Sequence, residues 1–273
     1  MAQIDFLAEE IFKRWGTVKR ARGNFLYTAK GVRLTDMFLE GGKAVLGWGS
    51  DNTSAWTVFK NILSRGLTGS YFTDFNARSK AGGKTALEKA VSSLLDSERK
   101  VFIFNGRENA LKAALNFSAD STSVYRPWNP VSIDWSTPDC VILCLPLAFC
   151  DELWLCAVKE ELYIKTEKDF SAVSFIPSAV EAAAVRSVYD LIRALQERQE
   201  KDWFIYDKVL TRYFTRKGPW LFPKVPEAEY QDFVKHCLDC SLVVSPYYTV
   251  PSVVPYKADR GVFRALEKNP FEF

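Results

Sequence analysis

The stretch Val101-Phe102-Ile103-Phe104-Asn105-Gly106-Arg107-Glu108-Asn109-Ala110-Leu111-Lys112-Ala113-Ala114-Leu115 decides the fold of this chain. Its four leading apolar residues predict a strand buried on both faces, the usual pattern in a parallel sheet. Asn105-Gly106 ends that strand, and strong helix formers follow it. A strand, a glycine turn and a helix in this order leave backbone N–H groups where an anion can bind, although many α/β proteins have such a turn and bind nothing there.

The composition is that of a globular protein. Hydrophobic residues make up 48% of the 273 residues, which excludes a largely disordered chain. The 36 basic and 33 acidic side chains leave a net charge of +3, which is too balanced to indicate a nucleic-acid partner. One basic cluster fits either phosphate contacts or, more simply, a solvated helix end: Lys13, Arg14, Lys19, Arg20 and Arg22.

The termini and the cysteines bear on the compartment. Residues 1–5 lack the basic start and the apolar core of a signal peptide, and the longest apolar run, residues 140–150, is too short to span a bilayer. We therefore expect a soluble cytoplasmic protein with reduced thiols and no membrane partner. Cys237 and Cys240 have metal-like spacing, but His236 is the only histidine and there is no second cysteine pair, so we predict no metal site.

Periodicity predicts alternating helices and strands, which favours an α/β fold with an α+β lobe from about residue 200. Residues 23–36 predict a hairpin that turns at Lys30-Gly31, and residues 140–145 a second central strand. Residues 118–130 are polar, contain two prolines and predict a loop. The strongest helix is predicted over residues 178–199, with Glu181 away from its apolar stripe of Val180, Ala184, Val188, Leu191, Ile192 and Leu195.

In this order the segments resemble the class-III aminotransferases, which are pyridoxal-phosphate enzymes of fold type I. Asn105-Gly106-Arg107-Glu108-Asn109-Ala110 is similar to the family's Ser-Gly-Thr-Glu-Ala turn, which holds the cofactor phosphate. Other segments resemble the family's opening strands, its strand before the Schiff-base lysine, its alanine-rich helix and its C-terminal lobe: residues 15–27, 32–36, 138–143, 170–184 and 242–252.

The resemblance implies a fold and a site. The fold is α/β, with a reduced fold-type-I aminotransferase-like core, a mainly parallel sheet and a smaller α+β lobe built from both chain ends. The implied cofactor-binding residues are Asn105, Gly106, Arg107 and Glu108, with pyridoxal phosphate as the possible cofactor. The implied segments are residues 1–75 for the small lobe and dimer contacts, 76–199 for a truncated core with its connecting helix, and 200–273 for the C-terminal lobe.

The chain departs from the family where the chemistry would occur. Leu145 stands at the position expected for the Schiff-base lysine, and leucine has no amine. Lys159 and Lys165 lie further along the chain and are the alternatives. Arg107 replaces a small hydroxyl residue of the turn, where it would either bind phosphate or fill the site itself.

A deletion is also visible, because Pro138 follows Gly106 by only 32 positions, where the family has several βαβ units. We therefore expect a shortened, degenerate relative that acts by binding a ligand or a partner chain, without a cofactor. The alternatives are an active aminotransferase with a relocated lysine and an unrelated α/β binding protein. We also expect a homodimer that uses residues 41–75, or a complex with another aminotransferase-like chain.

Overall fold

The structure is a computed structural model, which describes residues 3–49, 53–69, 71–75, 83–129, 133–148, 153–164 and 176–273. The chain forms two compact units. The first comprises residues 1–52 and 196–273, and the second comprises residues 53–195. Residues 53–75, which the sequence assigned to the N-terminal segment, belong to the second unit. No helix in the described ranges combines the length and the apolarity that a membrane span requires.

The first unit begins with helix α1 (Gln3–Trp15) and three antiparallel strands, β1 (Val18–Arg22), β2 (Phe25–Thr28) and β3 (Arg33–Asp36). β2 and β3 are the predicted hairpin, and Gly31 takes the positive φ of 76° that its turn requires. After β3, the buried carboxylate of Asp36 accepts hydrogen bonds from the backbone N–H groups of Phe38 and Leu39, at 2.9 Å each, and from Trp48 Nε1 at 2.7 Å. These bonds fix the glycine-rich segment that follows.

The described residues of the second unit form five helices and one four-stranded sheet. Its elements in chain order are α2 (Ala55–Ser64), α3 (Ala86–Leu95), β4 (Arg99–Asn105), α4 (Arg107–Phe117), β5 (Thr122–Val124), β6 (Cys140–Cys144), β7 (Leu153–Lys159), α5 (Glu160–Ile164) and α6 (Ser178–Glu197). Thr85 begins α3 with a capping box, in which Thr85 Oγ1 accepts from the Glu88 N–H and Glu88 Oε2 accepts from the Thr85 N–H. The alanines of α4 are buried against the sheet because small side chains allow close approach.

The helices and strands after α6 belong to the first unit. They are α7 (Lys201–Phe204), α8 (Asp207–Tyr213), β8 (Phe214–Lys217), β9 (Trp220–Pro223), α9 (Tyr230–Asp239), β10 (Leu242–Val243), β11 (Ser252–Val253) and α10 (Arg264–Lys268), with 3₁₀ turns at Glu227–Glu229 and Arg260–Phe263. β10 pairs parallel with β3, which joins the C-terminal region to the N-terminal sheet. β8, β9 and β11 form a separate antiparallel sheet.

The prediction of a mainly parallel sheet is wrong for the second unit, whose strand order is β4-β7-β6-β5. β7 pairs antiparallel with both β4 and β6, and only β5 and β6 pair parallel. The reason is topological. β4, β5 and β6 all point the same way, but the reversed strand β7 lies between β4 and β6. The sheet is therefore mixed.

The interpretation of residues 101–104 as a strand buried on both faces is also wrong. β4 lies at the edge of the described sheet, and Val101, Phe102 and Ile103 are only half-buried. Phe104 alone of these four is fully buried, at 2% exposure. The predicted central strand at residues 140–145 is confirmed, because β6 lies between β5 and β7 and is almost wholly buried.

Of the six residues in the predicted stripe of α6, Ala184, Val188 and Leu191 are buried and the other three are half-buried. Val188 and Leu191 are buried, at 1% and 3% exposure, whereas Leu195 is half-buried. Glu181, predicted to lie away from the core, is 8% exposed and therefore buried. Helical periodicity identifies the most apolar face, but it does not reveal how much of the circumference other elements cover.

Candidate functional site

The candidate site lies at one end of the sheet in the second unit, where β4, β5 and β6 all have their carboxyl ends. Ligands of open α/β sheets bind at such an edge. Gly106 follows β4 with φ 82° and ψ 150°, a conformation that favours glycine, and α4 begins at Arg107 without a side-chain cap. Asn109 Nδ2 donates to the Asn105 carbonyl oxygen at 2.7 Å and ties the turn together. The N–H groups of the first turn have no partner within the helix, and together with the helix dipole they favour an anion here.

The surroundings of Gly106 define the start of the turn. Apart from the chain neighbours of Gly106, no atom of the described residues lies within 4 Å of the position that a Cβ on Gly106 would take. Arg107 is exposed, and its guanidinium carbon lies 5.9 Å from the centre of the Trp154 ring on β7. Glu108 is also exposed and forms no ion pair with any residue that the structure describes. The Arg107 guanidinium therefore lies towards Trp154 on the neighbouring strand, and Glu108 adds an exposed negative charge to the same turn.

Arg126 adds a second positive charge to this edge. It lies two residues after the end of β5. Desolvation by its surroundings lowers the pKa of its guanidinium, and the positive charge of Arg107 lowers that pKa further. Much of the side-chain surface is still exposed. Two arginines that repel each other beside a helix N-terminus form a region of positive potential. The sequence missed Arg126 because β5 has only three residues inside a segment interpreted as loop.

Leu145 and Lys159 lie at opposite ends of the sheet. Leu145 directly follows β6 and is 3% exposed. The pairs Cys144–Trp154 and Asn105–Leu153 put it at the same end as the Gly106 turn. Lys159 pairs with Arg99, six residues along β7 from Leu153, which is ~20 Å away.

The Lys159 amine has local partners at its own end of the sheet. Its Nζ donates to the Thr137 carbonyl oxygen at 2.8 Å and lies 3.5 Å from Asp139 Oδ1. Lys165, the other candidate lysine, lies outside the described residues. The structure therefore places Asn105, Gly106, Arg107, Glu108 and Leu145 at the same end of the sheet, with β7 between Leu145 and the other four, and it places Lys159 at the opposite end.

Solved structures share this fold. The chain is similar to ornithine aminotransferase of Plasmodium yoelii, with a TM-score of 0.65 and 11% identity over 98% of this chain and 100% of that one. Acetylornithine aminotransferase of Elizabethkingia anophelis matches with a TM-score of 0.65 and 12% identity over 98% and 97% of the two chains. An omega-transaminase of Sphaerobacter thermophilus matches with a TM-score of 0.64 and 10% identity over 92% and 90%. The chain thus has the fold of the class-III aminotransferases, and at these identities the likeness extends to the fold alone.

Two bacterial relatives match at the level of sequence. An uncharacterized protein of Treponema pallidum is 27% identical over 90% of this chain and 91% of its own length. An uncharacterized protein of Borreliella burgdorferi is 21% identical over 89% of this chain and 86% of its own length. No protein-family model matches the chain.

Proposed function

We propose that this protein binds a small phosphate-bearing anion at the Gly106 turn and does not carry out transamination. One observation carries the proposal: Arg107, Arg126 and an uncapped helix N-terminus lie at the same sheet end as the buried, apolar Leu145. The positive groups suit a ligand with a phosphate, and neither Leu145 nor Lys159 offers an amine at this end of the sheet. We further propose a reducing cytoplasm as its compartment, because Cys140, Cys156, Cys237 and Cys240 are free thiols in buried positions.

Electrostatics support the anion-binding part. The first-turn N–H groups of α4 point out of the helix, and a negative charge near a helix N-terminus is worth about 0.3–1 kcal/mol at an exposed site. Guanidinium groups bind phosphate oxygens through paired N–H donors, so Arg107 and Arg126 suit the same ligand. Glu108 is the one carboxylate within the turn, and its exposure leaves it free to rotate towards water.

The missing amine supports the second part. When pyridoxal phosphate is bound in an aminotransferase, it supplies an aldehyde that reacts with an active-site lysine. Here Leu145 offers no amine, and the Lys159 amine is engaged with Thr137 and Asp139 at the far end of the sheet. Among the residues that the structure describes, Arg107 and Arg126 suit the phosphate of that cofactor, and neither Leu145 nor Lys159 suits its aldehyde.

Absorbance spectroscopy and peptide mapping test both parts. The protein is mixed with pyridoxal phosphate, reduced with borohydride and digested, and modified lysines are located by mass spectrometry. We expect no defined lysine to be modified, while pyridoxal phosphate and inorganic phosphate each raise the thermal midpoint. Modification of one lysine in most molecules would overturn the non-transaminating assignment. Midpoints that no phosphate-bearing compound moves would overturn the anion site.

The aminotransferase fold itself favours one alternative, an active pyridoxal-phosphate enzyme that uses a relocated lysine. Because Lys159 lies ~20 Å from the Gly106 turn, this alternative depends on Lys165. It predicts that Lys165→Ala abolishes an amino-donor-dependent spectral change, whereas Lys159→Ala leaves it intact. If the wild type shows no such change, the alternative is excluded.

A homodimer, or a complex with another aminotransferase-like chain, is the proposed assembly. Its support is a set of exposed apolar side chains within residues 53–75. Leu63, Tyr71 and Phe72 are 47%, 48% and 89% exposed. Aromatic residues are enriched at interface cores, and a side chain as exposed as that of Phe72 would bury apolar surface in such a contact.

A further inference from the structure

The first unit has a sheet face on which arginines alternate with aromatic rings. Arg20 on β1 pairs with Tyr27 on β2, and Tyr27 pairs with Arg33 on β3. In the next row, Arg22 pairs with Phe25. Directly paired residues of antiparallel strands have their side chains on the same face. Phe25 and Tyr27 are two residues apart on β2 and therefore also point to the same face, so all five side chains share it.

The rings and the guanidinium groups of this face are in contact. The Arg33 guanidinium carbon lies 4.5 Å from the centre of the Phe25 ring, and that of Arg20 lies 5.6 Å from the centre of the Tyr27 ring. Arg20, Arg22 and Arg33 are exposed, and the two rings are half-buried. Among the residues described, no carboxylate pairs with Arg20 or Arg33. A guanidinium stacked on a ring is held in place, yet keeps its outer plane and N–H edges for a partner.

The charge around this face differs from that of the whole chain. Residues 11–35 contain seven lysines and arginines and no aspartate or glutamate. The rest of the chain therefore holds 29 basic against 33 acidic side chains. The total of +3 conceals a strongly basic segment within an otherwise acidic protein. Arg14 does not belong to the exposed face, because it pairs with Glu10 and Asp239.

We propose that the face formed by Arg20, Arg22, Phe25, Tyr27 and Arg33 binds single-stranded nucleic acid. Phosphates of one strand would meet the guanidinium N–H groups, and unpaired bases would stack on the rings and on the guanidinium planes. An acidic peptide would satisfy the positive charge, but its carboxylates have no use for stacking surfaces. The alternation of charge and ring across three strands therefore favours nucleic acid. This partner departs from the expectation drawn from net charge, because binding depends on the local field and not on the total.

The site differs from the proposed anion site at Gly106 and belongs to the other unit. A register shift between Val18 and Arg20 increases the positive charge of this face, because the extra residue, Lys19, is exposed beside the arginines. Strand bulges of this kind re-aim side chains at a sheet edge. β1 therefore adds a fourth cation to the arginines.

Fluorescence anisotropy with labelled single-stranded RNA and DNA of about 15 nucleotides tests the proposal, since one binding surface of this type covers up to about 16. The protein with Arg20→Gln, Arg22→Gln and Arg33→Gln should bind about tenfold or more weakly at low salt. For the wild type, log affinity against log salt should have a slope of about −2, as expected for three phosphate contacts on a single strand. The triple variant should lose most of that slope.

The matched control carries Lys60→Gln, Lys89→Gln and Lys112→Gln, which remove the same charge from exposed positions of the other unit. Its affinity should stay close to that of the wild type. Near-ultraviolet circular dichroism verifies folding, and single Arg20→Gln and Arg33→Gln variants replace the triple variant if it unfolds. The absence of wild-type binding, or equal losses in both triple variants, would overturn the proposal. Arginine-dependent binding that is tighter to polyglutamate or to phosphatidylserine vesicles than to either oligonucleotide would also overturn it.

Discussion

The Arg107 guanidinium lies over the ring of Trp154, 5.9 Å from its centre, and this contact joins the start of α4 to the central strand β7. The contact draws the cation towards β7 and keeps a positive charge near the helix N-terminus. An anion site and a turn that is occupied by its own arginine differ in how they respond to the removal of this charge.

Removal of this charge should weaken phosphate binding. Arg107→Ala should reduce phosphate affinity by about 1–2 kcal/mol, because one charge-assisted contact is lost. Thermal midpoints titrated with phosphate measure the effect, and Lys112→Ala removes an exposed charge from the same helix as the control. An unchanged affinity together with a lower stability would mean that Arg107 serves the fold and not the ligand.

The turn and the helix start at this site could be predicted from neighbouring residues in the sequence, whereas the features that depend on strand pairing became known only from the structure. Asn105-Gly106 indicated a turn before a helix because only glycine adopts the φ of 82° without strain. The capping residue Thr85 could likewise have been identified from Glu88 three residues later. Both signals depend on neighbours in the chain, which the sequence displays directly.

Strand order could not be predicted in the same way. An apolar run such as residues 101–104 suits an interior strand or an edge strand covered by helices, and only the pairing with β7 decides between them. Arg126 reaches the site because β5 pairs with β6 across an interval of more than ten residues. The strand that ends beside Leu145 could be predicted from its apolar run. That Leu145 lies at the same end of the sheet as Gly106 depends on two antiparallel pairings that no local pattern encodes.

Gly42 should tolerate no side chain. A Cβ at this position would lie 2.8 Å from the Trp220 ring, and its φ is 88°. Gly42→Ala should therefore reduce the free energy of unfolding by about 2–4 kcal/mol, the sum of left-handed strain and overpacking. Gly31→Ala is the matched control, because Gly31 also has a positive φ but has open space around it. If chemical denaturation gives equal losses in the free energy of unfolding for the two variants, the contact with Trp220 does not limit the side chain at position 42.

Helix α6 offers a graded test of its packing. Leu191→Ala should cost about 2–4 kcal/mol of stability, since a buried leucine is replaced by a cavity. Leu195→Ala should cost less because Leu195 is half-buried. Denaturant titration compares them, and a loss under about 0.5 kcal/mol at Leu191 would mean that this face of the helix does not support the core.

The exposed side chain of Phe72 should take part in self-association. Sedimentation equilibrium of the wild type should give a dimer mass, and Phe72→Ser should shift the equilibrium towards monomer by about 1 kcal/mol or more, as expected for an aromatic residue at an interface. Phe204→Ser is the control, because Phe204 is 63% exposed in the other unit. A monomer mass independent of concentration would count against the homodimer.

Glu181 should make stability depend on pH near neutrality. Burial, which is the larger cause, and the nearby Glu88 carboxylate together raise the pKa of its carboxyl from 4.5 to about 7. Between these two pH values the folded protein retains a proton that the unfolded chain has lost. The stabilising contribution is therefore complete below about pH 4.5 and disappears as the pH rises through 7, a total change of about 3 kcal/mol.

Glu181→Gln separates this effect from other titrations. The amide carries no charge at any pH, so the variant should lose the decline in the free energy of unfolding between pH 5 and 8 and should be more stable than the wild type at the upper end. Glu197→Gln changes an exposed carboxylate of the same helix and should keep the wild-type profile. Urea denaturation at several pH values measures all three proteins. Parallel profiles for the wild type and Glu181→Gln would mean that the Glu181 carboxylate remains ionised in the folded state and is stabilised there by its surroundings.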